Sequence, residues 1–453
     1  MALDLRRPPV DVLHMPSIHT GMQYVGKRPE WLIRKANTAD VRLHAASEHD
    51  ELRKKQQSMN QRLLQQLPVG AIEVRSCPVV LKDARFFSGL VALSERLWLN
   101  GASGGRARIK FQDQNREEWR ANRVQGAMRR SRSSGRNSIG TCARAEADAL
   151  DVAIELKNGF NYYHFSTETL GSLSHFVEDE TGRDFTLHLP RGDIKSFVRN
   201  FVTEIFPEIA ERVRFEARPR RYDQVRSIYS HQHYLYLVDD LSINAAVTDG
   251  SIDASWSGFV RDPARMKLVA MQSYDTSLRK LRAAALTKAR ERKTSGAGRL
   301  IWMGRDEGGA ARIRGLEGHE PLLEELMGRG FEQVAFEHLS PVGQVAAMNE
   351  ADVVIAPHGA GLANMMYANS RTTVIEIGTR QTQLHRWGDF LKCAHVAGCR
   401  YDTVFADIKG VDEPGYVPPI ASGHRGIRIG PRAIESIIGI LDEVTPSAVR
   451  AGA

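Results

Sequence analysis

The sequence predicts an α/β protein. Short apolar runs alternate with amphipathic segments along most of the 453 residues, the pattern of strands separated by helices. Hydrophobic residues make up 42% of the chain, enough to bury packed cores rather than leave a disordered polymer. The length predicts two domains.

The first 70 residues are polar and read as an extension. Within them, Ser47 to Leu67 predicts a helix: Ser47 can cap it, and Leu52, Met59, Leu63 and Leu67 recur at helical intervals. From Ala71 the text turns strand-like ("AIEVRSCPVVL"), and residues 71–262 read as a first α/β domain. An insertion at 116–138, rich in Arg, Ser and Gly, interrupts it as a loop. A strand follows at Asp151–Leu156, then a turn at Asn158-Gly159. A helix carries Leu170, Leu173 and Phe176, and another strand is expected at Phe185–Pro190. "IKSFVRNFVTEIFPEIAERVRF" reads as helical with a Pro interruption, Gly258–Pro263 as a linker, and Met266–Lys293 as one long basic helix.

The second domain, residues 263–430, is the clearest. "RLIWMG", "FEQVAF", "DVVIAP" and "TTVIEIG" are apolar enough for buried strands. "HEPLLEELMGRG", "SPVGQVAAMNEA" and "GLANMMYAN" are the helices between them, with Ser340 as N-cap and Pro341 in the first turn of the second. Together they predict a parallel, doubly wound sheet. A last helix, Pro431–Val444, opens a 431–453 tail.

The net charge of +8 points to anionic partners: nucleotides, nucleic acid or an anionic membrane. An Arg-rich enzyme surface accounts for it equally well. Cys77, Cys142, Cys393 and Cys399 form no CxxC pair and no zinc-site spacing, so a reducing compartment is expected. The first 21 residues hold no apolar core of a signal peptide. No run of about 18 apolar residues suggests a membrane span.

In such a sheet, ligands bind beyond the C-terminal strand ends. Arg305 follows "LIWMG", and Arg312 lies seven residues on, in a Gly-rich loop. His358, Gly359, Ala360 and Gly361 follow "DVVIAP", and Glu376 lies near the end of "TTVIEIG". Glycine permits close approach of the backbone. Free N–H groups at the start of a helix favour phosphate. Arg305 can add a bidentate contact, and Glu376 can accept hydrogen bonds from ribose hydroxyls. The set describes a nucleotide diphosphate site. Its spacing is neither GxGxxG nor GxxxxGK[ST], so a dinucleotide and a nucleotide sugar both stay open. Plainer readings stand beside each residue: the glycines as a tight turn, His358 as a helix cap, Arg312 and Glu376 as solvated charges.

The stretch from Arg299 to Gly378 resembles the donor domain of glycosyltransferase family 61, the capsular polysaccharide biosynthesis type. The resemblance rests on Arg305, Gly330-Phe331, Gln344, Ala351-Asp352, the His358–Leu362 "HGAGL" segment, Asn364 and Glu376. Upstream, "NGFNYYHFSTETL" is similar to the family's Asn-Tyr-Tyr-His-aromatic segment. Family members often carry an Asn and an acidic residue soon after the second Arg, where "RIRGLEG" offers Leu316 and Glu317.

The resemblance implies a GT-B architecture: two Rossmann-like domains facing across a cleft, with inverting transfer from a nucleotide sugar to a glycan or lipid-linked glycan. It implies Arg305, Arg312, His358, Gly359, Ala360, Gly361, Leu362, Asn364 and Glu376 as the donor site. Helix termini and arginine can hold the leaving diphosphate, so no metal and no cofactor are expected. The absence of an Asp-x-Asp dyad after a strand of the donor half agrees, with Asp239-Asp240 read as a turn. A bacterial enzyme in the cytoplasm, peripheral to the inner membrane, is the expected setting.

Inversion needs a base for the acceptor hydroxyl. His164 and Glu168 are the candidates, four apart and so on one helix face. The alternative for His164 is packing among Tyr162, Tyr163 and Phe165. Two other functions compete. A dinucleotide-dependent oxidoreductase would use Glu376, seventeen residues past Gly359, but GxGxxG is missing. A nucleic-acid binder would use Arg116–Arg136, where Trp119 alone offers a stacking surface, so no specific nucleic acid is expected.

Overall fold

The computed structural model describes residues 9–16, 18–105, 139–156, 161–238, 240–259, 265–293, 297–304, 315–413 and 415–444. The Arg-rich segment 116–138, the Asn158-Gly159 turn, Asp239 and residues 260–263 of the expected linker lie outside them. The chain divides into two compact units, Met1–Ala36 with Pro68–Ala284, and Asn37–Leu67 with Ala285–Ala453. Residues 1–70 thus contribute to both, and the division falls within the helix Thr276–Glu291.

The first unit is built on a mixed sheet. Val152–Glu155, Phe185–His188 and Val213–Glu216 lie side by side and parallel. Arg220–Ser230 joins the first of them and pairs antiparallel with the long strand Ser76–Phe87. Two elements differ from expectation. "ERVRF" is not helical: the helix Ser196–Ile205 stops, Pro207 opens the short helix Pro207–Ala210, and the chain returns as the strand Val213–Glu216. The basic stretch 266–293 is not one helix either. Ser273–Asp275 breaks it, pairing parallel with Ile72–Val74, and the Asp275 carboxylate accepts from Ser277 N at 2.7 Å. An aspartate that satisfies a first-turn N–H starts a new helix, here Thr276–Glu291. Asp240 likewise opens a helix, Asp240–Thr248, instead of lying in a turn.

The expected helix carrying Leu170, Leu173 and Phe176 exists, but its pitch changes along its length. Tyr162–His164 is α, Phe165–Leu170 is π, Gly171–Leu173 is α again and Ser174–Phe176 is 3-10. In the π segment Phe165, Ser166, Thr169 and Leu170 are buried.

The second unit contains the predicted parallel sheet. Its neighbours run Glu332–Ala335, Leu300–Gly304, Val353–Pro357, Thr373–Thr379, Arg400–Ile408 and Asp40–Ala45, all parallel. Numbered from Leu300 along the chain, the first five give the order 2-1-3-4-5, with the switch point between Leu300–Gly304 and Val353–Pro357. Ser340 caps the helix Pro341–Glu350, its hydroxyl accepting from Gly343 N at 3.1 Å. One sheet face packs Trp302, Ile355, Ile375, Ile377 and Val404 against the helices Glu320–Gly328 and Pro431–Val444. The latter buries Ala433, Ile437, Ile440 and Leu441, a spacing of one helical stripe.

The helix expected from Ser47 runs Asp50–Gln65, and Ser47 does not cap it. The Ser47 hydroxyl donates to Asp407 instead. Leu52, Met59 and Leu63 are half-buried, while the buried positions are Gln56 and Asn60. Their partners account for that: Gln56 Oε1 accepts from Ser47 N at 3.2 Å and its Nε2 donates to Phe405 O at 3.0 Å, while Asn60 Oδ1 accepts from the Gln383 amide at 2.6 Å. Burial of polar groups is tolerated where they are so paired.

Candidate functional site

The strand Thr373–Thr379 is buried along its whole length. Its pleat sends Ile375 and Ile377 into the apolar core and Glu376 to the opposite face. There Glu376 lies level with Thr403 and Ala356 of the flanking strands. A carboxylate only 3% exposed needs hydrogen-bond donors, and three side chains supply them. His358 Nδ1 and the Tyr401 hydroxyl bond to its two oxygens, and Thr403 Oγ1 adds a contact of 3.4 Å. Burial and the adjacent Glu376 charge hold the Tyr401 phenol well above its ordinary pKa, so it remains a proton donor. Glu376 therefore stands behind His358. Its expected contact with ribose hydroxyls would compete with these donors.

His358 is the first residue beyond Val353–Pro357, and its N–H donates to Ile377 O at 2.8 Å. With Nδ1 held by Glu376, the bond fixes the ring's orientation. Gly359 follows in an extended conformation, and Ala360–Tyr367 is 3-10 where an α-helix was expected. This short helix packs against Pro341–Glu350 and Leu391–Ala397. Leu362 and Asn364 are buried. Leu362 is core, and the Asn364 amide donates to Gln344 Oε1 at 3.1 Å, so Asn364 ties the loop to the preceding helix. A Cβ on Gly361 would meet Met303 Sδ at 3.3 Å. That contact places the loop over the end of the strand Leu300–Gly304, at the switch point. Arg305 and Arg312 lie outside the described residues.

In the first unit, His164 and Glu168 come together. His164 Nδ1 and Glu168 Oε1 are 2.9 Å apart, and both side chains are about one-third exposed or less. The Asn161 side chain accepts from His164 N at 3.3 Å and starts the turn. Tyr162 packs edge-on against Phe197 and Phe201, while the Tyr163 ring lies 5.3 Å from His164. A half-buried histidine fixed by a carboxylate is an arrangement suited to proton transfer.

Several side chains around His358 carry no motif of their own and went unread in the sequence. Tyr401 and Thr403 come from a strand obscured by Asp402 and Asp407. The Phe390 ring lies 5.4 Å from His358 and the His424 ring 5.6 Å.

The fold is α/β, and the His358 loop lies at the switch point of its parallel sheet. The family model described as Glycosyltransferase 61 matches residues 162–375, just under half of the chain. The match begins at Tyr162, before His164, and ends at Ile375, one residue short of Glu376. It supports membership of that family and therefore a glycosyltransferase, with a sugar donor and an acceptor. No curated protein matches the chain.

Proposed function

We propose that the protein is an inverting, metal-independent glycosyltransferase. It moves a hexosyl or pentosyl group from a nucleotide sugar to a glycan or lipid-linked glycan, in building a surface polysaccharide. The observation that carries the reading is the buried His358–Glu376 pair opening the "HGAGL" loop at the switch point. The donor diphosphate lies against the N–H groups of this loop and His358, where the negative charge of the leaving group develops. Glu376 serves the donor site through His358, which it orients. Arg305 and Arg312 belong to the same proposal as phosphate contacts.

His164 is the base and Glu168 its orienting carboxylate. With Nδ1 held by Glu168, Nε2 takes the acceptor's hydroxyl proton. The acceptor oxygen then bonds to the anomeric carbon, and the bond from that carbon to the diphosphate breaks with inversion. The GT-B arrangement implied by the resemblance, and a place in the cytoplasm beside an anionic membrane, are parts of this reading.

The test is transfer from a panel of nucleotide sugars to glycan acceptors, in EDTA, with the product's anomeric configuration read by NMR. Inverted product formed in EDTA supports the reading. Retained configuration, or activity that returns only with added divalent metal, refutes the corresponding part.

A further inference from the structure

Beyond strand Thr373–Thr379 the chain forms the short helix Arg380–His385, and Arg386 ends it, with Arg386 N donating to Thr382 O at 2.8 Å. The Arg386 side chain is about half exposed. Its Nε donates to His424 Nε2 at 3.3 Å, and the His424 ring lies against the His358 ring with centroids 5.6 Å apart. The guanidinium is thereby tied, through one imidazole, to the histidine that opens the glycine loop. Nη1 also pairs with the Asp389 carboxylate at 3.6 Å, longer than a hydrogen bond.

The segment carrying His424 is held from below by one side chain. Gln381 is fully buried. Its amide donates to Pro418 O at 3.0 Å and Gly423 O at 3.1 Å, while its carbonyl accepts from Arg425 N at 2.9 Å. Three bonds from a single buried glutamine fix both ends of Pro418–Arg425. A buried amide with its donors and acceptor all engaged defines one backbone position.

We propose that Arg386 binds the donor's diphosphate beside His358, and that His424 and Gln381 are positioning residues for it. Arg386 Nε is held by His424 Nε2, which fixes the plane of the guanidinium. With Nε committed, the two Nη groups form the fork that suits paired phosphate oxygens. Gln381 holds the strap in place, the strap holds His424, and His424 aims the fork. This proposal rests on the reading of the His358 loop as a nucleotide-sugar site.

The test is binding of UDP, GDP and the corresponding nucleosides to the full chain, by calorimetry, for wild type, Arg386→Ala, Arg386→Lys and His424→Ala. Arg386→Ala is expected to weaken nucleoside diphosphate binding by about tenfold or more, the usual effect of losing a hydrogen bond to a charged group. Nucleoside binding should not change. His424→Ala should give a smaller loss of the same kind, and Arg386→Lys should recover only part of the affinity. Thermal midpoints within a few degrees of wild type establish that the variants fold, and Arg386 is exposed enough for that. Wild-type diphosphate affinity in Arg386→Ala overturns this proposal alone. Failure of the unsubstituted protein to bind any nucleoside diphosphate overturns the reading beneath it as well.

Discussion

Glu376→Ala separates two roles that a carboxylate at this position can play. If Glu376 contacts ribose, its removal lowers nucleoside affinity and leaves the fold nearly untouched. If it holds His358, the loss is first structural. The substitution strips a buried acceptor from His358, Tyr401 and Thr403 at once. Each buried donor left without an acceptor costs about 1–3 kcal/mol, and three are left. Tyr401 is fully buried, so water cannot replace the lost acceptor. Taking about 4 kcal/mol in a unit of this size, the thermal midpoint should fall by about 10 °C. Glu376→Gln keeps the shape and one acceptor oxygen, and should lose about half as much. The assay is thermal unfolding followed by circular dichroism, paired with nucleoside and diphosphate binding. An unshifted midpoint in Glu376→Ala, together with lost nucleoside affinity, would refute the positioning role and restore the ribose contact.

Other outcomes follow from the same geometry. His164→Ala should lower kcat by roughly 10²–10⁴, the range for a general base, with donor binding unchanged. Glu168→Gln should lower it less, and full activity in either variant clears that residue. Gly318→Ala should destabilise by about 1–3 kcal/mol in a denaturant titration, because φ is +68° and a Cβ would lie 2.7 Å from Ile429 O. Gly361→Ala should cost less than about 1 kcal/mol, since its neighbour is the flexible Met303 side chain at 3.3 Å. Burial holds His14, His188 and His395 at about 4 and His175 at about 3, below the ordinary 6.5. The unfolded chain then binds more protons below pH 6.5, so the contribution of these groups is complete above 6.5 and is lost as pH falls toward 4. Denaturation midpoints at pH 7 and pH 5 check this, and a midpoint that rises on acidification contradicts it.

The parallel sheet was legible because its strands are short and buried on both faces, so that "DVVIAP" and "TTVIEIG" are nearly pure apolar text. The helix caps were legible where the residue acts locally, as Ser340 does. Arg400–Ile408 was not. It buries Asp402 and Asp407, which only long-range partners make acceptable: His44 at 2.7 Å and Arg400 for the first, Ser47 and Glu48 N for the second. Asp40–Ala45 is the polar, half-buried neighbour of that strand, and pairing across more than 350 residues leaves no local signature. The break at Ser273–Asp275 was hidden for the same reason, since its strand partner is Ile72–Val74.

The site divided along the same line. His358 and the glycines were readable as a loop after a strand, and His164 with Glu168 as one helix face. The direction in which Glu376 points depends on the strand's register with Tyr401 and Thr403. The arrival of His424 depends on how Gln381 holds a segment some forty residues away. Neither arrangement has a sequence spacing of its own.

The most direct measurement is ligand-induced stabilisation of wild type and His358→Ala by UDP, GDP, CMP and NAD. A ligand at about 100 times its Kd should stabilise the folded protein by about 2.7 kcal/mol. Stabilisation is expected from one of the nucleotides that sugars are carried on, much reduced in His358→Ala. Stabilisation by NAD alone, or a nucleotide response that His358→Ala leaves intact, would contradict it.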